Sequence, residues 1–199
     1  MPPIEPPRQP LRAGGVRILR PLRIRDFSLL FAGTSVSLLG DGIYIVALAW
    51  QVYDLSNAPT ALSVVGVAWT VPMVLFLLVG GVLGDRFDRR RLMITGDLIR
   101  AVAIAAMAVL ALTDAIELWH VVVLSAVYGA GDAIFAPNFQ AVVPDIVPQR
   151  LLVEANSLQQ LAEPVALRFA GPALGGVLVA TLGSIILLAI YRLISHQAA

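Results

Sequence analysis

The sequence predicts an all-α integral membrane protein, a bundle of six helices that cross the bilayer, with the last helix cut short. Hydrophobic residues make up 58% of the 199 residues and charged residues 14%, and the mean hydropathy is +0.84. This composition excludes a water-soluble domain, whose surface needs far more charge. Apolar runs of about 20 residues, the length at which a helix crosses the hydrocarbon core, recur along the chain.

Residues 1–25 are predicted to be a disordered tail. They contain six prolines and six arginines, which disfavour a long helix, and they lack the apolar core of a signal peptide. We interpret the tail as a positive flank that fixes the orientation of the first helix. A site for anionic lipid or nucleic acid is the less favoured alternative, and nucleic acid is not expected as a partner.

Residues 26–199 are predicted to form one bundle of membrane helices. Four spans are long apolar runs, a fifth contains Glu163 and Arg168, and a sixth is interrupted at Tyr191. The segment from Pro148 to Asn156 is expected to form a short helix at the membrane surface before the fifth span. The predicted spans cover about residues 27–50, 60–84, 92–113, 118–143, 157–182 and 184–195.

Charge outside the spans alternates in sign along the chain. One side of the membrane would hold the basic segments, which are the tail, residues 86–91, Arg150 and Arg192. In the loops on the other side, all charged residues are acidic. Cytoplasmic loops of membrane proteins are rich in Lys and Arg, so the N-terminus is expected in the cytoplasm.

Catalytic and metal chemistry have little support in the sequence. Cysteine is absent, and His120 and His196 are too far apart to suggest a shared ligand site. No grouping of nucleophile, base and oxyanion donor is visible. We therefore expect neither an enzyme nor a bound metal or cofactor.

Ionisable residues inside the spans need a reason, because burying a charge in a bilayer is costly. Asp41, Asp132 and Arg168 each lie well inside a predicted span, and within a bundle they could converge. One hypothesis is that the aspartates take up and release a proton while Arg168 changes their proton affinity. The alternative is a static ion pair between Arg168 and Asp132.

Asp97 and Arg100 are three residues apart on the third span and can face each other on one helix surface. They lie close to the end of that span. We interpret them as a local pair whose charged groups reach toward the interface.

Residues 81–91 have the sequence GVLGDRFDRRR and place six charged residues between two apolar runs. This segment resembles the motif G-x-L-x-D-R-x-G-R-R, which lies between the second and third spans of transporters of the major facilitator superfamily. Asp88 stands where the general motif has glycine. The branch of bacterial drug and siderophore exporters often has an acidic residue there.

A second motif lies in the fifth span. Gly171, Pro172, Gly175 and Gly176 are similar to the core of the antiporter signature G-P-x-x-G-G of exporters in this superfamily. Proline removes a backbone hydrogen bond and bends a helix, and glycines allow a neighbouring helix to approach closely. The fourth span, in contrast, has no basic residue from Ser125 to Gly129, where the superfamily's proton-transfer motif has an arginine.

The resemblance extends over nearly all of residues 23–183. It implies the N-terminal six-helix half of a twelve-span exporter, in the branch of drug:proton antiporters that includes macrolide-efflux and enterobactin-exporter types, in the bacterial inner membrane. The implied function is export of small amphipathic compounds, drugs or siderophores, in exchange for protons. The implied partners are membrane lipid, the small-molecule substrate, protons, and a second six-helix half or a second copy.

The resemblance also implies a gate on the cytoplasmic side. In the family the loop aspartate, here Asp85, faces the positive end of a helix of the second half, and the loop arginines pair with acidic groups at helix ends. Asp145 is the expected partner of Arg89 or Arg90, unless the arginines serve orientation alone. The residues implied in the gate are Gly81, Asp85, Arg86, Arg89, Arg90 and Asp145.

Two different interpretations of the chain remain open at this point. It would be a truncated, non-transporting membrane fragment of such an exporter, with at most an interaction role, or a half-transporter that must oligomerise.

Overall fold

A computed structural model describes residues 17–178 of the chain, and helices make up nearly all of this part. Four of its helices are long and apolar enough to cross a membrane. The remaining residues of the predicted tail and the predicted sixth span, 184–195, lie outside the described residues. The four long helices are α1 (Arg25–Leu55), α2 (Pro59–Arg86), α3 (Arg89–Leu112) and α4 (Leu118–Ile146).

In the region of the predicted fifth span, 157–182, the structure has a helix that begins at Leu152, and residues 179–182 of that prediction lie outside the described residues. A short 3₁₀ turn at Gln149–Leu151 leads directly into α5 (Leu152–Pro164), so the segment from Pro148 to Asn156 does not form a separate surface helix. A π-helical turn follows at Val165–Ala170, and residues 171–178 are again α-helical.

The π-helical turn ends two residues before Pro172, and proline explains its position. The backbone N–H of Gly171 donates to the carbonyl of Ala166, five residues earlier instead of four. Pro172 has no N–H, so the α-helical hydrogen bond that would oppose this wider turn is missing at the next position. The irregularity expected at Pro172 therefore takes the form of one extra residue in the preceding turn.

Part of the predicted disordered tail is ordered. Residues 20–23 form a 3₁₀ turn, Arg20–Arg23, in which Pro21 is buried. Apolar side chains in and beside this turn pack against a buried cluster that contains Phe27 and Val143. Three apolar residues within residues 17–25 thus supply enough contact to hold this segment against the bundle: Ile18, Leu22 and Ile24.

The long helices extend further than the apolar runs, and the turn between α2 and α3 is correspondingly short. Only Phe87 and Asp88 lie outside the two helices, so most of the charged motif is helical. The Asp88 side chain accepts a hydrogen bond of 2.9 Å from the backbone N–H of Arg91. The residue that departs from the general motif is thus the N-cap of α3.

Helix α4 lies at the centre of the described bundle, parallel to α2 and antiparallel to α3. Glycines bring the backbones close together: Gly129 of α4 lies against the backbone carbonyl of Trp69, and Gly131 lies against that of Gly96. Such small residues permit close helix contacts in membranes. We call the end of the bundle where α1 and α3 begin the arginine end, and the other end the opposite end.

Candidate functional site

Arg100 of α3 is the centre of a buried group of charged side chains. Its exposed fraction is only 6%, and its guanidinium contacts three carboxylates. Nη2 donates to Oδ2 of Asp41, Nη1 donates to Oδ1 of Asp97 at 3.2 Å, and Nε lies 3.2 Å from Oδ1 of Asp132. We call these four residues the Arg100 cluster. They join α1, α3 and α4.

Two aromatic side chains add neutral donors to the cluster. The hydroxyl of Tyr128 donates to Oδ1 of Asp41 at 2.7 Å and accepts from Nη2 of Arg100 at 2.8 Å. The indole Nε1 of Trp69 donates to Oδ2 of Asp132 at 3.2 Å. Each of the two buried aspartates therefore has its own neutral donor in addition to the shared guanidinium.

Aromatic packing fixes the position of Tyr128, which is almost completely buried. Its ring stacks on Tyr44 of α1 with the centroids 4.9 Å apart, and Trp69 meets it edge-on at 5.2 Å. The Arg100 guanidinium lies 4.9 Å from the centre of the Tyr128 ring, within the range of a cation–π contact. These contacts hold the hydroxyl between Arg100 and Asp41.

The cluster lies about halfway along the helix bundle, because each member lies near the middle of its helix. Close approach of α3 and α4 then brings Arg100 inward: a Cβ on Gly131 would lie only 2.8 Å from Cγ of Arg100. Without a side chain at Gly131, the long arginine side chain can lie along the α4 backbone toward Asp132.

A cavity of about 700 Å³ adjoins the cluster and extends from it toward the arginine end. Asp41, Arg100 and Asp132 form its inner wall. Aromatic side chains line its sides: Phe31, Trp69, Tyr128, Phe135 and Phe139. Near the arginine end the lining includes amides and one carboxylate: Gln140, Asn156, Gln159, Gln160 and Glu163.

Metal binding has no support in the part of the chain that the structure describes. Among residues 17–178, no group of three or more His, Cys, Asp or Glu side chains is arranged to hold a metal ion. Arg100 occupies the space between the carboxylates of the cluster instead.

The structure brings Asp41 and Asp132 together around Arg100, whereas Arg168 lies elsewhere. Arg168 is on the π-helical turn, is exposed, and forms no ion pair within residues 17–178. Arg100 takes the place expected for Arg168. Its contact with Asp97 exists, but the guanidinium points into the bundle and does not reach toward the interface.

The charged motif at the arginine end forms one bridge between helices. Nη1 of Arg89 lies 2.9 Å from Oδ2 of Asp145 and also donates to the carbonyl of Ala141 at 3.2 Å. This is the contact expected for Asp145, and it ties the start of α3 to the end of α4. The other charged residues assigned to the gate are exposed: Asp85, Arg86 and Arg90.

The glycines of the motif do not all serve packing. Nothing lies within 4 Å of a Cβ placed on Gly81, whereas Gly80 and Gly84 lie against Ala133 and Asn138 of α4. Gly80 lies just before the motif, and the sequence predicts no role for it. The order Gly80-Gly81 does not show which of the two glycines faces α4.

The Gly-Pro motif shows a similar division. A Cβ on Gly171 would lie 2.9 Å from the carbonyl oxygen of Leu39, and one on Gly175 would lie 3.2 Å from Cα of Ile43. Around Gly176 there is open space. Gly171 and Gly175 therefore pack against α1, and Gly176 does not.

Comparison with known proteins gives consistent matches over most of the chain. The model of the family described as transmembrane secretion effector matches residues 17–196. The multidrug efflux pump Tap of Mycolicibacterium fortuitum is 33% identical over 171 residues, which are 83% of this chain and 40% of that protein. Tap of Mycobacterium tuberculosis is 32% identical over 164 residues, 80% of this chain and 39% of that protein.

A third relative is the macrolide efflux protein A of Streptococcus pyogenes, which is 28% identical over 140 residues. The match covers 70% of this chain and 35% of that protein. The chain thus spans about two fifths or less of the length of these relatives. No solved structure matches the chain.

Proposed function

The chain belongs to the transmembrane secretion effector family of the major facilitator superfamily, and we propose that its helices form one half of the substrate path of a membrane exporter. The exporter would move small amphipathic compounds, drugs or siderophores, out of the cell in exchange for protons. Its place would be the inner membrane of a bacterium, with the N-terminus in the cytoplasm.

The observation that carries this proposal is the cavity with the Arg100 cluster at its inner wall. Charged side chains inside a membrane protein usually line a path for ions or substrates, because burying them elsewhere is costly. The aromatic side walls, such as Phe31 and Phe139, suit the apolar part of an amphipathic compound. The amides near the arginine end suit its polar groups.

The proposed orientation gives the cavity a direction. Cytoplasmic flanks are rich in arginine, so the arginine end would face the cytoplasm. A cavity that extends from mid-depth toward that end would receive substrate from the cytoplasm, as the first step of export requires. Fusion of a reporter protein to the loop at Asn57 or to Arg150 tests this orientation.

Proton exchange would take place within the pair of Asp41 and Asp132, at one carboxylate or at both. Both carboxylates bind the same guanidinium, so a proton added to one of them changes the charge balance that holds α1, α3 and α4 together. That change would favour a second arrangement of the helices. Release of the proton on the cytoplasmic side would restore the arrangement described above.

The gate would involve the charged motif at the arginine end. Asp85 is exposed and makes no side-chain hydrogen bond or ion pair among the described residues, so it is available to a helix of a second half. Attraction between a carboxylate and a helix N-terminus is worth about 0.3 to 1 kcal/mol. Arg89 and Asp145 would act on the near side of the same gate.

Transport assays test the proposal. Everted membrane vesicles containing the chain alone are compared with vesicles containing the chain joined to the remaining helices of Tap, and uptake of a fluorescent amphipathic drug is driven by a proton gradient. We expect gradient-dependent uptake by the joined protein, and by the chain alone only if two copies assemble. Asp41→Asn in the joined protein should reduce this uptake, because it removes one of the charges that Arg100 balances. Asp54→Asn is its control, because Asp54 is also on α1 but is exposed and outside the cavity. Absence of uptake in both proteins would favour a non-transporting fragment.

A further inference from the structure

We infer that Asp132, and not Asp41, is the carboxylate of the Arg100 cluster that binds the proton, with Trp69 as its positioning residue. The role of this proton in transport rests on the proposed function. The binding itself concerns only residues that the described bundle contains, so it can be tested without transport.

Charge balance requires that one carboxylate of the cluster be easily neutralised. Three carboxylates contact a single guanidinium. The side chain of Asp97 is 48% exposed, so water stabilises its charge. Those of Asp41 and Asp132 are 14% and 21% exposed, and a single guanidinium cannot balance two largely buried carboxylates. The proton therefore goes to one of these two.

Asp41 is the better stabilised as an anion. Both of its oxygens accept hydrogen bonds, Oδ2 from Nη2 of Arg100 and Oδ1 from the Tyr128 hydroxyl at 2.7 Å. Tyr128 is fixed by the rings of Tyr44 and Trp69. Hydrogen bonds to the charged form of a carboxylate favour that form, so a proton on Asp41 would have to displace one of these two contacts.

Asp132 is held less firmly as an anion. Its Oδ2 accepts one hydrogen bond, from Nε1 of Trp69 at 3.2 Å. Its Oδ1 lies 3.2 Å from Nε of Arg100, but this contact lacks the alignment of a hydrogen bond, and the buried Nε has no hydrogen-bond partner among the described residues. A proton from water in the cavity can add to Oδ1 while Trp69 keeps its bond to Oδ2.

Few titratable groups near Asp132 could bind the proton in its place. On α3 it faces Arg100 and Asp97, and on α1 it faces Asp41 and Tyr44. Tyr128 is on its own helix, α2 contributes the neutral Trp69, and α5 contributes Glu163 on the wall of the same cavity. After protonation Arg100 keeps Asp41 and Asp97, so the loss falls on the link between α3 and α4.

Tryptophan fluorescence of the purified chain tests the inference. The chain has three tryptophans, and Trp50 and Trp119 are exposed and outside the cluster, so a Trp50→Phe/Trp119→Phe background leaves Trp69 as the reporter. The emission is titrated in lipid nanodiscs between about pH 4 and pH 9, below the range in which tyrosines ionise. We expect one transition, because protonation of Asp132 changes the charge next to the indole.

Variants assign the transition to a residue. It should disappear in Asp132→Asn and remain in Asp132→Glu with a different midpoint. In Asp41→Asn it should remain, with its midpoint at lower pH because Arg100 is then available to Asp132. Asp54→Asn is the matched control and should leave the midpoint unchanged. A transition that persists in Asp132→Asn, or that only Asp41→Asn abolishes, would overturn the inference, as would the absence of any transition.

Infrared spectroscopy provides a readout that does not depend on Trp69. A protonated carboxyl has a C=O band that a carboxylate lacks, and this band should appear with the same midpoint and be missing in Asp132→Asn. In Trp69→Phe the midpoint should correspond to proton binding about tenfold tighter, because the charged form has lost a donor. An unchanged midpoint would remove Trp69 from the positioning role.

These results separate the inference from the proposed function. A transition assigned to Asp132 in a protein that does not transport would leave the inference standing and contradict the function. Proton-driven transport without a transition assigned to Asp132 would contradict the inference and leave the proposed function standing.

Discussion

Arg100 and Asp41 are 59 residues apart in the sequence, yet they bind each other in the middle of the bundle. The Tyr128 hydroxyl lies between them and bonds both. Through this pair α3 is joined to α1, and through Tyr128 both are joined to α4. A single arginine thus connects three helices that otherwise contact each other mainly through small and apolar side chains.

Removal of Arg100 should strongly destabilise the bundle. Arg100→Ala leaves Asp41 and Asp132 buried without a counter-charge, and breaking a buried pair in this way costs about 3 to 5 kcal/mol. Thermal unfolding in detergent, followed by circular dichroism, measures the effect. Arg90→Ala is the control, since Arg90 is exposed. Equal losses in both variants would contradict the central role of Arg100.

Removal of the Tyr128 hydroxyl should have a smaller effect. Tyr128→Phe keeps the ring packing and leaves part of Asp41 without a donor, at a cost of about 1 to 3 kcal/mol. The same change at Tyr53, whose side chain is exposed, should be close to neutral. Urea or thermal unfolding of the two variants side by side distinguishes them.

The contact between α1 and the segment after the π-helical turn can be tested with two neighbouring glycines. A Cβ on Gly42 would lie 2.8 Å from Cα of Gly171, whereas around Gly40 nothing lies within 4 Å. Gly42→Ala should destabilise by about 1 to 3 kcal/mol because backbone atoms must move. Gly40→Ala should be neutral or stabilising by up to about 1 kcal/mol, because alanine favours helix. Melting temperatures that shift in the same direction would refute this packing.

The N-cap of α3 predicts how the motif tolerates substitution. Asp88→Ala removes the bond to the N–H of Arg91 and should cost about 0.5 to 2 kcal/mol, while Asp88→Gly should cost only a few tenths. Glycine, the residue of the general motif, is thus the milder replacement. Comparison of the thermal stability of the two variants checks the order.

The Arg89–Asp145 pair should matter more for transport than for stability. Both side chains are partly or largely exposed, and pairs of this kind contribute about 0 to 1 kcal/mol. Asp145→Asn should therefore leave the melting temperature nearly unchanged. In the joined exporter it should alter the rate of drug uptake, and a change in stability without a change in rate would contradict the gating proposal.

The long helices could be predicted from the sequence because each consists of an apolar run of sufficient length. Their ends could not be placed as well, since charged residues such as Arg86 and Arg89 continue the helices beyond the apolar runs. The sequence does not predict the π-helical turn either. It depends on which carbonyl Gly171 bonds, and the composition of the segment does not determine that.

The sequence predicts part of the candidate site. It indicates Asp41 and Asp132, because a carboxylate within an apolar span is unusual, but it places Arg100 in a local pair with Asp97. Sequence spacing shows which residues share a helix face, but the inward direction of Arg100 depends on close contact between α3 and α4 at Gly131. The spacing of residues within one helix does not show which residues contact a helix that is distant in the sequence.

The extra residue in the π-helical turn determines the rotational phase of everything that follows it. In a regular α-helix each residue turns the chain by about 100°. Without that residue the helix that follows would be rotated by about 100°, and Pro172 would take the place of Gly171 next to Gly42. The π-helical turn thus determines that the face of residues 171–178 with Gly171 and Gly175 packs against α1. A one-residue deletion in this turn would bring a different face of the helix against α1.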